Sequence, residues 1–388
     1  MSGTVLSCRT AARTHRAMDA WGRAGEADLS WRVSVIEALE RLATASEPVK
    51  VSIGTPSSVP FAVDWRGLPR HSDREIARNP SSVANLDQDT EIRWVDGVDL
   101  NDGSPVRLPA IMVYLGGAVL PAERFWTPIS TGAAAGGTRE DALFSAICEV
   151  IERDMNSVLW LQRLALPRID VGDMTPDAVR LVRWCERKYM RAHVFDATSE
   201  IGVPTAYCLL EAPHDAVVGR VVAASTNVDR GKAVEHALGE AVSIHTTLRF
   251  ADAGKPEEVP LIVRGALQIA GPDHHDAFDF LLNPAHPRPV RPVFDHQDLP
   301  LTGPGRLANL VRRCERAGHK VYAVDLTTPE SEQIGLHVVR VIIPSLQPLG
   351  FNPDARYLGH PRLYSLPALL GYPVSAEEHL NHLPQPFG

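Results

Sequence analysis

The stretch from Pro128 to Leu166 constrains this chain more than any other: PISTGAAAGGTREDALFSAICEVIERDMNSVLWLQRLAL. It joins a run of small residues, Ser130 to Thr138, to a strongly patterned helix. Thr138 suits a helix N-cap, and Glu140 and Asp141 place negative charge in the first turn, where the helix dipole favours it. Leu143, Phe144, Ile147, Val150, Ile151, Val158 and Leu159 recur at helical spacing and predict a buried stripe. Glu149 and Glu152 lie three apart and share a face, which Ser145 and Asn156 extend. A flexible small-residue loop feeding a helix with paired carboxylates has the parts of a phosphate and metal site. The loop lacks a Walker lysine and is not a P-loop. Its small side chains let the backbone pass close to a nucleotide or a peptide, or make a close-packed turn.

The rest of the chain narrows the partners such a site can have. Net charge is −8 with no dense Lys/Arg run, which argues against nucleic acid and anionic membranes. No apolar run approaches the roughly 20 residues of a membrane span. The N-terminus is basic but has no apolar core of a secretory signal. The five cysteines, Cys8, Cys148, Cys185, Cys208 and Cys314, are scattered and form no CxxC pair. They read as reduced, mostly buried thiols of a cytoplasmic protein.

In order, residues 1–26 read as a weakly structured or partly helical extension. Asp28 to Ala43 reads as an amphipathic helix with the echo E-A-L-E-R, which returns at Glu149 to Arg153 as E-V-I-E-R. Glu91 to Tyr114 reads as a β-hairpin turning at Asn101-Asp102-Gly103. Strands are expected near Val49 to Ile53, Arg168 to Asp170, Ala192 to Phe195, Pro204 to Glu211 and Gly219 to Ser225, with a helix from Pro176 to Tyr189. Asp229 caps a helix reaching Arg249, on which His236, Glu240, Ser243 and Thr247 share one face. Ala251 to Pro304 is rich in proline, histidine and aspartate and reads as irregular; HPRPVRP, His286 to Pro292, cannot be a regular element. A helix ending at Gly318 precedes strands over His319 to Leu326 and Leu336 to Ile343, which suggests α/β layering. The tail is proline-rich.

Three helices therefore carry carboxylates: Glu37 and Glu40, Glu149 and Glu152, and Glu240. Magnesium takes hard oxygen ligands and is usually held by one or two carboxylates plus substrate phosphates. Taken singly, each Glu-x-x-Glu pair reads as a solvated helix face, since such pairs cost only about 0.2–0.5 kcal/mol; it is the two pairs together with Glu240 that put a site on a par with that reading. Arg41, Arg153 and Arg340 are available for phosphate. Arg340, inside VVRVII, is expected to face a cleft rather than bulk water, or to be an edge-strand residue with a buried stem. No HExxH, GxSxG or Cys/His signature supports a metalloprotease or hydrolase.

STGAAAGGT followed by ALFSAICEVIERD resembles the signature of the YcaO family. VIEALERLA resembles that family's N-terminal helix, WVDGVDL with VRLPAIMVY its hairpin, and VVAASTNVDRGKAVEHALGEAV its later glutamate-bearing helix. AGHKVYAVDLT, GLHVVRVIIPSLQPLG and ARYLGHPRLY resemble its C-terminal segments in the same order. The resemblance implies an α+β or α/β fold of the YcaO type, with mixed β-sheets and flanking helices around a central ATP site. It implies an extension over 1–26, a single catalytic domain over 27–388, and a proline-rich tail over 381–388.

The resemblance also implies ATP and Mg2+ as cofactors and a precursor peptide as substrate. A backbone amide would be phosphorylated on oxygen, turning a poor leaving group into phosphate. Attack by Cys, Ser or Thr would then give an azoline; the alternatives are thioamide or amidine formation, or a non-catalytic scaffold subunit. Carried over residue by residue, Glu37, Glu149, Glu152 and Glu240 would be metal and nucleotide carboxylates. Ser34, Glu40, Arg41, Arg153 and His236 would be further nucleotide contacts. Arg340, Pro384 and Pro386 would serve catalysis. Ser34 stands beside Val33, where the family commonly has serine, and Ser243 and His245 replace the usual Gln and Arg after Glu240. No winged-helix region for a leader peptide is evident, so an E1-like or TfuA-like partner protein is expected, and a homodimer is compatible with the chain.

Overall fold

The computed structural model describes residues 4–11, 17–24, 27–45, 50–250, 261–284, 303 and 305–387. β1 (Thr4–Ala11) and β2 (Ala17–Ala24) form an antiparallel hairpin with Thr4 opposite Ala24. The extension is thus stranded where the sequence reading had weak or helical structure. α1 (Ala27–Ala45), β3 (Ser52–Gly54) and α2 (Asp73–Arg78) follow. β4 (Ile92–Asp99) and β5 (Pro105–Pro109) make the expected hairpin. Its turn needs the left-handed conformation that Gly103 supplies at φ 78°. α3 (Ala110–Val113), β6 (Ala133–Gly136) and α4 (Arg139–Gln162) come next. Then come α5 (Pro176–Glu186), β7 (Arg191–Asp196), β8 (Thr205–Glu211), β9 (Arg220–Thr226) and α6 (Arg230–Phe250). α7 (Leu261–Ala270), α8 (Asp279–Leu282), α9 (Arg306–Arg316), β10 (Tyr322–Asp325), α10 (Pro329–Gln333), β11 (His337–Ile342) and α11 (Arg362–Leu369) complete the chain.

The chain gathers into two compact units, where one domain is expected over 27–388. The first comprises Met1–Leu68, Pro80–Val150 and Pro304–Ser345; the second comprises Pro69–Asn79, Ile151–Gly303 and Leu346–Gly388. The first unit holds a sheet in the order β3-β4-β10-β11-β6, with β5 also pairing β4. Its core is built on Trp94, Leu108 and Val338, each essentially inaccessible. The second unit holds the sheet β7-β8-β9. β8 is buried along nearly its whole length, because Ala233, Val234, Ala237 and Leu238 of α6 and Ala178 and Val182 of α5 belong to the same core. Every named ladder among the described strands is antiparallel. The fold is therefore α+β; the succession of α9 and β10 does not build parallel α/β layers.

Three local expectations change. Half of the small-residue run is not a loop but β6, which pairs β11 with Ala133 opposite Arg340. Within the stretch read as irregular, α7 is a regular helix; HPRPVRP lies outside the described residues. Arg168 makes only an isolated bridge to Phe195 rather than a strand. Among the described residues no helix is long and apolar enough to cross a membrane. Cys148, Cys185, Cys208 and Cys314 are buried, and burial pushes the Cys185 thiol up to about 11, which keeps it inert near neutrality.

Candidate nucleotide-binding residues

α4 begins as its sequence dictates. Thr138 Oγ1 accepts from the Asp141 N–H at 3.1 Å and donates to the Asp141 carboxylate at 2.8 Å. Leu143, Ile147, Val150 and Ile151 are buried, which fixes the rotation of the helix and hence the side on which Glu149 emerges.

In the first unit, Glu149 meets the small-residue run. The Gly132 N–H donates to Glu149 Oε2 at 3.1 Å. Gly132 sits at φ 85°, and a Cβ there would lie 2.2 Å from the Val341 carbonyl oxygen. Only glycine permits this approach. The small residues thus bring backbone against a helix and orient its carboxylate. Glu40 is the surprise of the group. Burial, then repulsion from Glu149 and Glu37, pushes its carboxyl up to about 8, against the opposing pull of Arg41 and a hydrogen bond from the Ala135 backbone. Glu37 is instead engaged by Arg41, whose Nη2 lies 2.5 Å from Glu37 Oε1 on the more exposed side of α1. Ser34 lies one turn before Glu37 on α1.

Arg340 is 1% exposed. Its Nε donates to the Met112 carbonyl at 3.2 Å and its Nη2 to the Ile129 carbonyl at 2.6 Å. Burial pulls its guanidinium down to about 10, opposed by Glu149 and Glu40. Its Nη1 is buried with no hydrogen-bond partner among the described residues, and its charge is felt by Glu149 and Glu40.

In the second unit, Glu152 accepts from the Thr226 N–H at 3.0 Å, at the end of β9. The Arg153 guanidinium lies 4.4 Å from the centre of the Phe387 ring. On α6, Asp229 caps the helix through the Gly231 N–H at 2.8 Å. His236 is exposed and Glu240 half-buried, opposite the alanine side that packs in the core. His245 lies elsewhere on this helix: it is buried, with Nε2 3.6 Å from Asp215 Oδ2, which Arg249 also contacts at 3.0 Å. Pro384 is half-buried and Pro386 buried in a tail tied to α4. The Asn381 N–H donates to the Leu161 carbonyl at 2.8 Å, and Trp160 Nε1 to the Leu383 carbonyl at 3.3 Å. Neither proline has a group that can move a proton; they set the course of the chain toward Phe387.

Sequence reasoning missed the residues that anchor this half of α4. Asp154, wholly buried, pairs with Arg362 at 2.7 Å and accepts from the Gln347 N–H at 2.7 Å. Arg362 also reaches Glu200 at 2.6 Å. The aspartate inside E-x-x-E-R-D was the one available signal.

Residues 21–347 match the profile of a family described as YcaO cyclodehydratase, ATP- and Mg2+-binding. This chain belongs to the YcaO family. Its fold is similar to that of a heterocyclase solved in complex with substrate and cofactor, with a TM-score of 0.78 and 23% identity, over 95% of this chain and 50% of the other. It is also similar to YcaO from Methanopyrus kandleri bound with AMPPCP and Mg2+, with a TM-score of 0.63 and 22% identity, over 88% of this chain and 82% of that one. A sequence relative is an uncharacterised protein in the tfuA 3′ region of Rhizobium leguminosarum bv. trifolii, 27% identical over 183 residues, 44% of this chain and 40% of that one. The chain spans half the length of the heterocyclase and less of the Rhizobium protein. ATP and Mg2+ are the cofactors of the family.

The residues present fit that pair. Burial first, and then repulsion from Glu149 and Glu37, holds a proton on Glu40, and a divalent cation relieves the repulsive part. Among the described residues no three His, Cys, Asp or Glu side chains form a metal cage of their own. Magnesium does not need one, since phosphate oxygens and water complete its shell.

Proposed function

We propose that this YcaO protein uses ATP and Mg2+ to phosphorylate a backbone amide of a ribosomal precursor peptide, leading most directly to azoline formation from Cys, Ser or Thr. The observation that carries the reading is the oriented Glu149. It is fixed by the Gly132 N–H and set among carboxylates that repel one another, in a chain of the ATP- and Mg2+-binding family. The heterocyclase described as bound to substrate and cofactor supports the azoline product. In this reading Glu37 and Glu149 of the first unit, and Glu152 and Glu240 of the second, are metal and nucleotide carboxylates. Ser34, Glu40, Arg41, Arg153 and His236 are further nucleotide contacts. Bound magnesium supplies charge neutralisation for the transferring phosphoryl group. The chain's own contribution is placement: the Gly132 and Thr226 N–H groups aim Glu149 and Glu152, Phe387 holds the plane of Arg153, and Arg340 biases the charge of Glu40 and Glu149.

The test is mass spectrometry on a pool of capped peptides containing Cys, Ser or Thr, incubated with the protein, ATP and Mg2+. Loss of one water per modified residue is expected, and Glu149→Gln lowers the rate by about a hundredfold or more. An unchanged mass together with no ATP binding by calorimetry sinks this reading and favours a scaffold subunit. A second reading is thioamide or amidine formation with a TfuA-like partner, favoured by the relative in the tfuA 3′ region. It predicts no water loss by the chain alone, and exchange of oxygen for sulfur when sulfide and the partner are added. An E1-like leader-binding partner would instead raise the rate of water loss without changing the product.

A further inference from the structure

Asn156 on α4 is 1% exposed, and neither its Oδ1 nor its Nδ2 meets a hydrogen-bond partner among the described residues. An unpaired buried carboxamide destabilises the fold that carries it, so its persistence asks for a reason outside the fold. At helical spacing, Asn156 falls between Glu152 and Arg153 in angle and about one turn beyond them, with Trp160 a further turn along the same face. Those neighbours are engaged: Glu152 by the Thr226 N–H, Arg153 by the Phe387 ring, and Trp160 by the Leu383 carbonyl. Ser157, next in the chain, turns its hydroxyl to the Pro348 carbonyl at 2.9 Å. The surroundings of Asn156 are thus built and held, while its own donor and acceptor are left to something else.

We propose that the Asn156 carboxamide binds the backbone of the peptide substrate beside the amide to be activated. Oδ1 accepts from the N–H of that amide, and Nδ2 donates to a neighbouring peptide carbonyl. This rests on the reading of Glu152 and Arg153 as groups that hold the nucleotide's phosphates. Accepting from the N–H raises electron density on the amide oxygen, the atom that must attack phosphorus, and leaves that oxygen unobstructed. Distance selects this ligand over the adenine base. A helical turn is about 5.4 Å, and a group reacting with the terminal phosphate must come within about 3–3.5 Å of it. An adenine edge stands off by two more phosphates and a ribose.

The test compares wild type with Asn156→Ala and the nearly isosteric Asn156→Leu on the capped peptide pool. Three quantities are read: melting temperature, KM for ATP, and kcat/KM for peptide. The melting temperature is expected to hold or rise, because an unpaired buried amide is removed. The KM for ATP stays within about twofold, while kcat/KM for peptide falls by about tenfold to a hundredfold. Unchanged peptide kinetics overturn the assignment. A rise in the KM for ATP overturns it in favour of a nucleotide contact, and a lowered melting temperature with unchanged kinetics in the folded fraction marks a packing residue. Absence of turnover by wild type contradicts the azoline reading instead. The amide assignment is then decided by NMR, following the side-chain NH2 signal that is missing from Asn156→Leu during titration with N-methylacetamide in the presence of AMPPCP and Mg2+. A saturable shift supports it, and an unmoved signal overturns it.

Discussion

Glu40 is an acid held protonated by its surroundings at neutral pH. In an unfolded chain it ionises near the ordinary glutamate value of 4.5; in the fold burial and the charges of Glu149 and Glu37 delay this to about 8. Between those values the unfolded state releases a proton that the folded state keeps, so stability falls as pH rises and the penalty is complete above about 8. Glu40→Gln removes this dependence. It is expected to stabilise the protein without nucleotide by at least about 1.4 kcal/mol at pH 9 and by almost nothing at pH 4, since one pKa unit corresponds to about 1.4 kcal/mol. Denaturant titrations at the two pH values check this, and equal gains at both would show that charge is not the cause. Gly132 makes the complementary case for backbone. With φ at 85° and the Val341 carbonyl 2.2 Å from where a Cβ would stand, Gly132→Ala is expected to cost roughly 2–4 kcal/mol. It is also expected to weaken ATP binding, because the N–H that aims Glu149 moves.

At the scale of elements, α4 is where the sequence spoke most clearly and also where it fell silent. Its start, cap and apolar stripe follow from local spacing, as do α1, the β4–β5 hairpin and the cap of α6. Each depends on residues within a few positions of one another. The Asp154–Arg362–Glu200 cluster was not legible, because Arg362 lies 208 positions from Asp154 and sits in a helix that carries Pro367 in its interior. β6 was hidden for a different reason: alanines and glycines carry no strand pattern, and only pairing with β11 makes them one. α7 is hidden by the proline and charge around it, and alternation alone does not show how deeply Arg340 is buried. Arg362→Ala takes the guanidinium from two buried carboxylates and is expected to cost about 3–5 kcal/mol in thermal or denaturant unfolding. Arg362→Lys is expected to recover only part of this, since an ammonium cannot serve both carboxylates with the geometry of a guanidinium. Full recovery by Lys would mean that charge alone, not the forked contact, holds this part of α4.

At the scale of the molecule, the acidic balance of −8 and the absence of basic runs argue against nucleic acid as the partner of the proposed reaction. Family membership brings ATP and Mg2+. What the chain adds is carboxylates held by backbone N–H groups, Glu149 by Gly132 in the first unit and Glu152 by Thr226 in the second. The central claim is that the amide oxygen of the peptide, and not water, receives the phosphoryl group of ATP. Capped peptides carrying heavy oxygen in the backbone carbonyl before a Cys, Ser or Thr test it most directly. The account predicts that the inorganic phosphate released during turnover carries the heavy oxygen, one label for each water lost from the peptide. Unlabelled phosphate, with the heavy oxygen still in the peptide or released in water, would contradict it.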